Sequence, residues 1–143
     1  MKRVLVAFAV ALTLVAVAPG EAAMPRSPVL SGCLNKLLVR PSRIDVCGDG
    51  NFFLTDLRWA SWSPSGAVGA AVAHQNDCTP SCAAGRYHLY SAAVWLTRAR
   101  TCSDGRIQYT RLSYEFLALR PAHIAAGPHV VTAPLDLGAA HCP

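Results

Sequence analysis

Hydrophobic and polar positions alternate along most of the chain after residue 42. A period of two is typical of β-strands that bury one face, because successive side chains of a strand point to opposite sides. Runs of turn-forming Gly, Pro, Asn, Asp and Ser separate the alternating segments. The pattern predicts a mainly β chain, an antiparallel β-sandwich or small barrel of about five to seven strands. The predicted strands cover residues 43–47, 52–63, 67–74, 87–97 and 106–119.

Two tryptophans lie three residues apart on the second predicted strand. In a regular strand Trp59 and Trp62 point to opposite faces, so we expect one to fill the core and the other to reach the surface. An exposed Trp62 could stack on a sugar or a base, although packing within the protein is the commoner role of a tryptophan. Trp62 is therefore a candidate binding residue.

The third predicted strand, residues 67–74, has Ala or Gly at every second position. Such a face lets a large side chain approach closely, and the two tryptophans are candidates for that neighbour. Alanine is also the best helix former. The segment is short and lies between turns, however, which favours a strand.

The remaining strands carry three further signals. Residues 87–97 are fairly apolar on both faces, which indicates a central strand. Over residues 106–119 the apolar positions change from odd to even numbers near Thr110, which predicts a β-bulge or a bend. Beyond Pro121, residues 130–132 could form a short edge strand.

The first 23 residues have the pattern of a secretory signal peptide. Lys2 and Arg3 precede an apolar run over residues 4–18, and small residues follow at positions 22 and 23. The run is too short to cross a membrane as a helix. We therefore predict a signal helix at residues 1–23 and a secreted protein without membrane attachment after cleavage. A retained N-terminal anchor is the alternative.

A second alternative for localisation is a lipid anchor. Leu30-Ser31-Gly32-Cys33 matches the lipobox of bacterial lipoproteins, in which the cysteine is lipidated after cleavage. Prolines and charged residues separate this motif from the apolar run, and lipidation of Cys33 would leave an odd number of cysteines. Both observations favour the secreted form over the lipoprotein.

We predict one folded domain, large enough to bury a core but small enough to gain from disulfides. Residues 24–42 form an N-terminal arm and residues 43–120 form the β domain. Residues 121–143 form a C-terminal tail tied back by Cys142. The protein is expected to be a monomer.

The net charge is +5, and the arginines are spread along the chain. This spread is not typical of nucleic-acid-binding proteins, so no nucleic-acid partner is expected. One cluster surrounds the predicted hairpin tip near residue 103. Its members Arg98, Arg100 and Arg106 are candidate contacts for an anionic surface such as a cell wall or lipid headgroups. A solvated strand face is the simpler interpretation.

Six cysteines in an exported chain predict three disulfides. Sequence alone does not select their pairing. Our leading pair is Cys102–Cys142, which would pin the tail to the hairpin tip. We further expect Cys47 to pair with Cys78 or Cys82. The six are Cys33, Cys47, Cys78, Cys82, Cys102 and Cys142.

Residues 76–85 are dense in turn-forming residues and contain two cysteines, so we predict a loop that joins two strands. His74, Cys78, Cys82 and His88 are side chains of the kinds that zinc prefers. Their spacing is not that of a standard zinc motif, and an oxidising compartment favours disulfides, so no metal or cofactor is predicted. A redox-active pair is a further alternative, but such motifs space their cysteines by two residues.

The chain has no serine-hydrolase elbow, no His-Glu-x-x-His motif and no phosphate-binding glycine loop. His74 and Asp77 could form an acid–base pair, but nothing in their spacing orders them. We therefore predict that the protein is not an enzyme. A small secreted hydrolase using His74 and Asp77 is the alternative, which requires His74 within hydrogen-bond reach of a carboxylate.

Several motifs carry a family resemblance over about residues 41–120. They are Cys47-Gly48-Asp49-Gly50-Asn51, Trp59-x-x-Trp62, Asn76-Asp77-Cys78-x-Pro80-x-Cys82-Ala83-x-Gly85, and the aromatic strand that ends at Phe116. On these motifs the chain resembles a family of small secreted, uncharacterised actinobacterial proteins. That family carries no assigned activity, so the resemblance implies an exported β domain and nothing about its chemistry.

Together these patterns predict a secreted, small β-domain protein without enzymatic activity. It would act as an extracellular binding or interaction module. The expected partner is an unknown extracellular ligand or a component of the cell wall.

Overall fold

The computed structural model describes residues 27–31, 36–46, 50–118, 121 and 130–135. This part of the chain is mainly β and contains no helix, which confirms the predicted class. It therefore holds no helix long and apolar enough to cross a membrane. The predicted signal helix, residues 1–23, lies outside the described residues. The strands are Val29–Ser31 (β1), Leu37–Leu38 (β2), Ile44–Asp45 (β3), Phe52–Ser63 (β4), Gly66–Asn76 (β5), Tyr87–Thr101 (β6), Ile107–Phe116 (β7) and Val130–Pro134 (β8).

The strands form a single sheet that curls into a half-barrel. Its order is β2-β1-β7-β6-β5-β4-β3, and β8 also pairs with β7. Strands β4 to β7 form an antiparallel meander, whereas β1 runs parallel to β7. Strand β6 lies between β5 and β7, as its two apolar faces predicted. Strand β8 confirms the short strand predicted at residues 130–132.

The core fills the concave face of the sheet. Full burial of each Leu, Ile or Val side chain there contributes about 1.5–3 kcal/mol relative to leaving it in water. Leu30, from β1, is fully buried in this core although it lies in the segment predicted as an arm. The buried cluster comprises Leu30, Ile44, Leu54, Leu57, Ala67, Ala71, Ala73, Ala92, Val94, Leu96, Tyr109, Leu112, Tyr114 and Phe116.

Both tryptophans of β4 point to this inner face, so the prediction of opposite faces is wrong. The pairing of β4 with β5 shifts between Thr55 and Arg58 and again between Trp59 and Ser61. Each shift places one extra residue in β4, and each extra residue reverses the alternation of side chains. Trp59 and Trp62 therefore both pack against the core, with ring centroids 4.8 Å apart in an edge-to-face arrangement.

The two indole N–H groups bind carbonyl oxygens of the segments that precede the meander. Trp59 Nε1 donates to Pro41 O, and Trp62 Nε1 donates to Pro28 O, each at 2.9 Å. Tyr109, fully buried, stacks edge-to-face on Trp62 at 5.3 Å. A buried aromatic N–H normally needs such a partner. These bonds hold the N-terminal segments against the inner face.

The small residues of β5 make room for the tryptophans, as predicted. Gly69 lies opposite Trp59 in the ladder. A Cβ at Gly69 would lie 2.7 Å from Arg58 O and 3.0 Å from Trp59 Cε3. Both distances are shorter than carbon and oxygen atoms tolerate without movement. The position therefore excludes any side chain.

The predicted change of parity in β7 occurs as a bend. Tyr109 and Leu112 are both buried, although they lie three positions apart and would point to opposite faces of a regular strand. The register between β6 and β7 is the same on either side of this point, so β7 holds no extra residue. Arg98, which lies across from this point on β6, has φ of 52°. In β6 and β7 alike, the positions whose side chains point inward therefore change between even and odd numbers at this point.

We expect Gly69→Ala to destabilise the protein by about 1–3 kcal/mol, because the new methyl group must displace the Arg58 carbonyl or the Trp59 ring. Urea unfolding followed by tryptophan fluorescence measures the change. Ala70→Ser, on the exposed outer face of the same strand, is the matched control and should change stability by less than about 0.5 kcal/mol. Equal stability of the two variants would contradict the packing described.

Candidate functional site

The loop between β5 and β6 is closed by a disulfide between Cys78 and Cys82. Its position between two strands confirms the predicted loop. Because these two cysteines bond each other, the expected pairing of either with Cys47 is wrong. Cys102 is also disulfide-bonded, so none of the described cysteines is free. Cys33, Cys47 and Cys142 lie outside the described residues, so the pair Cys102–Cys142 and a lipid at Cys33 stay predictions.

Asn76, the last residue of β5, anchors the loop from inside. It is 5% exposed, and a buried amide needs hydrogen-bond partners. Its Nδ2 donates to Cys82 O at 2.8 Å and to Asn51 Oδ1 at 3.0 Å, and its Oδ1 accepts from Cys78 N at 3.0 Å. One side chain thus ties both cysteine residues to the turn that precedes β4.

Asp77 anchors the loop from outside. Its Oδ1 accepts hydrogen bonds from the backbone N–H groups of Thr79 and Arg86, both at 3.0 Å, in a side-chain turn typical of aspartate. Its Oδ2 lies 2.9 Å from His88 Nε2. The contact with His88, followed by the N–H groups of Arg86 and Thr79, lowers the pKa of Asp77 to about 2.

The lack of a side chain at Gly85 leaves space for the side chains of both Asn76 and Asp77. A Cβ at this position would collide with Asn76 Oδ1 and would lie 2.8 Å from Cys78 N and 2.9 Å from Asp77 Oδ1. The backbone of Gly85 therefore occupies space that any side chain would need. This explains a glycine at the point where the loop returns towards β6.

The tip of the loop, residues 79–84, is exposed along its whole length. None of these residues belongs to the hydrophobic core. The loop is thus ordered from its base by Asn76 and Asp77, while the tip is left open to solvent.

A row of stacked side chains crosses the outer face of the sheet beside the loop. The rings of Phe53 and His74 stack at 4.4 Å, and the Arg43 guanidinium lies 4.1 Å from the centre of the Phe53 ring. Two groups this close must occupy opposite faces of the ring. Thr55 Oγ1 and His74 Nε2 are 2.9 Å apart, which fixes the imidazole.

Two exposed apolar side chains connect this row with the loop. Leu89, directly across from His74 on β6, is 62% exposed, and Tyr87 is 44% exposed. Tyr87 packs on Phe53 at 5.3 Å and follows Arg86, which closes the loop. We call the tip together with Tyr87 and Leu89 the loop-end surface.

The residues that the sequence suggested as contacts lie elsewhere. Trp62 is half-buried, and its N–H is used within the protein. Arg98 and Arg100 are exposed near the other end of β6, roughly 35 Å along the strand from Leu89. Arg106 is half-buried and lies 3.4 Å from Asp104. The binding role suggested for these four residues stays a prediction.

His74 and Asp77 are not hydrogen-bonded to each other. His74 contacts Thr55, whereas Asp77 contacts His88. Within the described ranges, no three His, Cys, Asp or Glu side chains come together as metal ligands. The disulfide also occupies the sulfurs of Cys78 and Cys82 that the zinc alternative would use.

Comparison of the chain with protein-family models, curated protein sequences and solved structures finds no match. The resemblance to small secreted actinobacterial proteins therefore stays a prediction.

The pKa of Asp77 predicts a response of the loop to acid. The pKa of about 2 lies below the ordinary value of 3.8. The carboxylate contacts therefore stabilise the folded loop fully above pH 3.8, and this stabilisation is lost as the pH falls through about 2. NMR titration of the side-chain carboxyl carbon should show this midpoint. His88→Ala should raise the pKa without fully restoring it, because the two N–H bonds remain. His74→Ala is the control and should leave it unchanged, and an ordinary pKa in the unmodified protein would contradict the geometry.

Gly85→Ala should loosen the loop while leaving the sheet folded. We expect the amides of Cys78, Thr79 and Arg86 to exchange hydrogen at least about fivefold faster, which corresponds to about 1 kcal/mol for one lost hydrogen bond. Hydrogen exchange followed by NMR measures this. Ala83→Ser, at the exposed tip, is the matched control and should leave these amides unchanged. Unchanged exchange in Gly85→Ala would show that the loop tolerates a side chain there.

Proposed function

We propose that the protein is a secreted, non-enzymatic binding module and that its loop-end surface contacts the ligand, a component of the cell wall. The observation that carries this proposal is the contrast within the loop. Its base is ordered by buried and charged hydrogen-bonding groups, whereas its tip is exposed and contributes nothing to the core.

The order of the tip favours binding on energetic grounds. Fixing the backbone of one residue costs about 1–2 kcal/mol of conformational entropy. In this loop the contacts of Asn76 and Asp77 offset that cost when the protein folds. A ligand that meets an ordered loop loses less entropy on binding, so more of the contact energy becomes affinity. Binding residues are commonly found on such loops, held by a rigid scaffold.

The side chains of the loop-end surface suit a mixed polar and apolar ligand. Tyr87 and Leu89 offer exposed apolar area on the outer face of the sheet, and the hydroxyl-bearing tip of the loop is exposed as well. Aromatic rings flanked by hydrogen-bonding groups are enriched where proteins bind partners. The polymers of a cell wall present both hydroxyl groups and C–H surfaces. The signal-peptide pattern and the disulfides agree with an extracellular site of action.

Co-sedimentation of the purified protein with protein-free bacterial cell walls tests the proposal. We expect the unmodified protein to bind and Leu89→Asp to bind at least about tenfold more weakly, since about 1.4 kcal/mol of lost contact gives that factor. Val68→Asp makes the same change at an exposed outer position on β5, away from the loop, and should bind normally.

Two results would contradict this assignment. Failure of the unmodified protein to bind would exclude cell walls as the ligand. Normal binding by Leu89→Asp together with loss of binding by Arg98→Ala/Arg100→Ala would place the contact at the arginine end of β6.

A further inference from the structure

We infer that the Cys78–Cys82 disulfide is a site of thiol–disulfide exchange, which an external dithiol reduces while the protein stays folded. The inference rests on the geometry of the loop alone and does not depend on what the loop-end surface binds.

The bond is accessible. Cys82 lies in the exposed tip, and Cys78 is half-buried. Cys102, by contrast, is only 5% exposed. Exchange proceeds by attack of a thiolate on a disulfide sulfur, so access to one of the two sulfurs is a requirement. Because Cys82 is an exposed residue of the loop tip, we expect this access without any movement of the sheet.

The hydrogen bonds that hold the loop do not involve the sulfur atoms. Asn76 binds the backbone of both cysteines, through Cys82 O and Cys78 N. Asp77 holds the base of the loop through Thr79 and Arg86. The ladder between β5 and β6 continues to the pair of Asn76 and Tyr87, at the foot of the loop. After reduction these contacts can remain, so the two thiols stay near each other and can be reoxidised.

The disulfide also adds little to the stability of the fold. The stabilisation by a cross-link grows with the length of chain that it closes, and this one spans a sequence separation of 4. The ends of the loop are already brought together by two adjacent antiparallel strands. A disulfide that adds little to stability and is open to solvent is suited to reversible chemistry.

The exchange balances with a dithiol as the only co-reactant. One thiolate of the dithiol attacks the sulfur of Cys82, the Cys78–Cys82 bond breaks, and Cys78 leaves as a thiolate that takes up a proton. The second thiol of the dithiol then attacks the mixed disulfide and releases Cys82. The dithiol is oxidised to a disulfide, and Cys78 and Cys82 are reduced to two thiols.

Timed reduction with dithiothreitol tests the inference. Samples are quenched in acid, alkylated after unfolding and mapped by mass spectrometry, with tryptophan fluorescence recorded in parallel. We expect Cys78–Cys82 in the native protein to be reduced within about tenfold of its rate in guanidinium chloride, with unchanged tryptophan fluorescence. Reduction that proceeds only at the rate of global unfolding would overturn the inference.

The variant Cys78→Ser/Cys82→Ser gives a second test that does not depend on reduction rates. We expect it to unfold cooperatively at nearly the same temperature as the parent and to keep slow hydrogen exchange at Thr79 and Arg86. A variant that fails to fold, or whose loop amides exchange freely, would show that the bond is a structural staple and would overturn the inference.

Discussion

The packing of Trp59 and Trp62 against the small residues of β5 is the constraint on which the rest of the fold depends. Two extra residues in β4 turn both rings inward, and Gly69 gives Trp59 the space to lie against the strand. Once inside, each indole N–H must find an acceptor, because an unpaired buried donor costs free energy. The acceptors, Pro41 O and Pro28 O, belong to segments before the meander. The same two side chains therefore fill the core and bring β1 and β3 to the sheet.

The loop is positioned by this core although it contributes nothing to it. Asn76 is both the last residue of β5 and the innermost anchor of the loop. Its hydrogen bond to Asn51 Oδ1 also ties the loop to the start of β4, the strand that carries the tryptophans. Any change of register between β4 and β5 would therefore displace the loop as well. This is why a small disulfide loop on a half-barrel can be held in one conformation.

Alternation of side chains predicted where the strands lie, because each strand of the meander buries one face. It also predicted that the small residues of β5 would face the tryptophans. It could not predict which way Trp62 points, because the parity rule counts residues and an extra residue in β4 becomes visible only when its partner strand is known. The Cys78–Cys82 pairing was missed because six cysteines allow many pairings, and the turn that brings Cys78 and Cys82 together is visible only in the structure. The sequence did carry a signal for the contact of Asp77 with His88, since Asp77 lies in the predicted loop and His88 follows that loop by three residues.

The tryptophans that stand out in the sequence and the surface proposed for binding lie in different places, for a physical reason. Large rings such as Trp62 and Tyr109 bury the most apolar area, so a single curled sheet with small residues on one strand gains most by placing them inside. The outer face then carries side chains that have no role in the core, such as Leu89, which is 62% exposed. The loop takes no apolar side chain from the core, because its anchors Asn76 and Asp77 are polar and hold it through hydrogen bonds. The proposed contacts with other molecules therefore lie at that end of the sheet, where Leu89 and the loop tip are exposed.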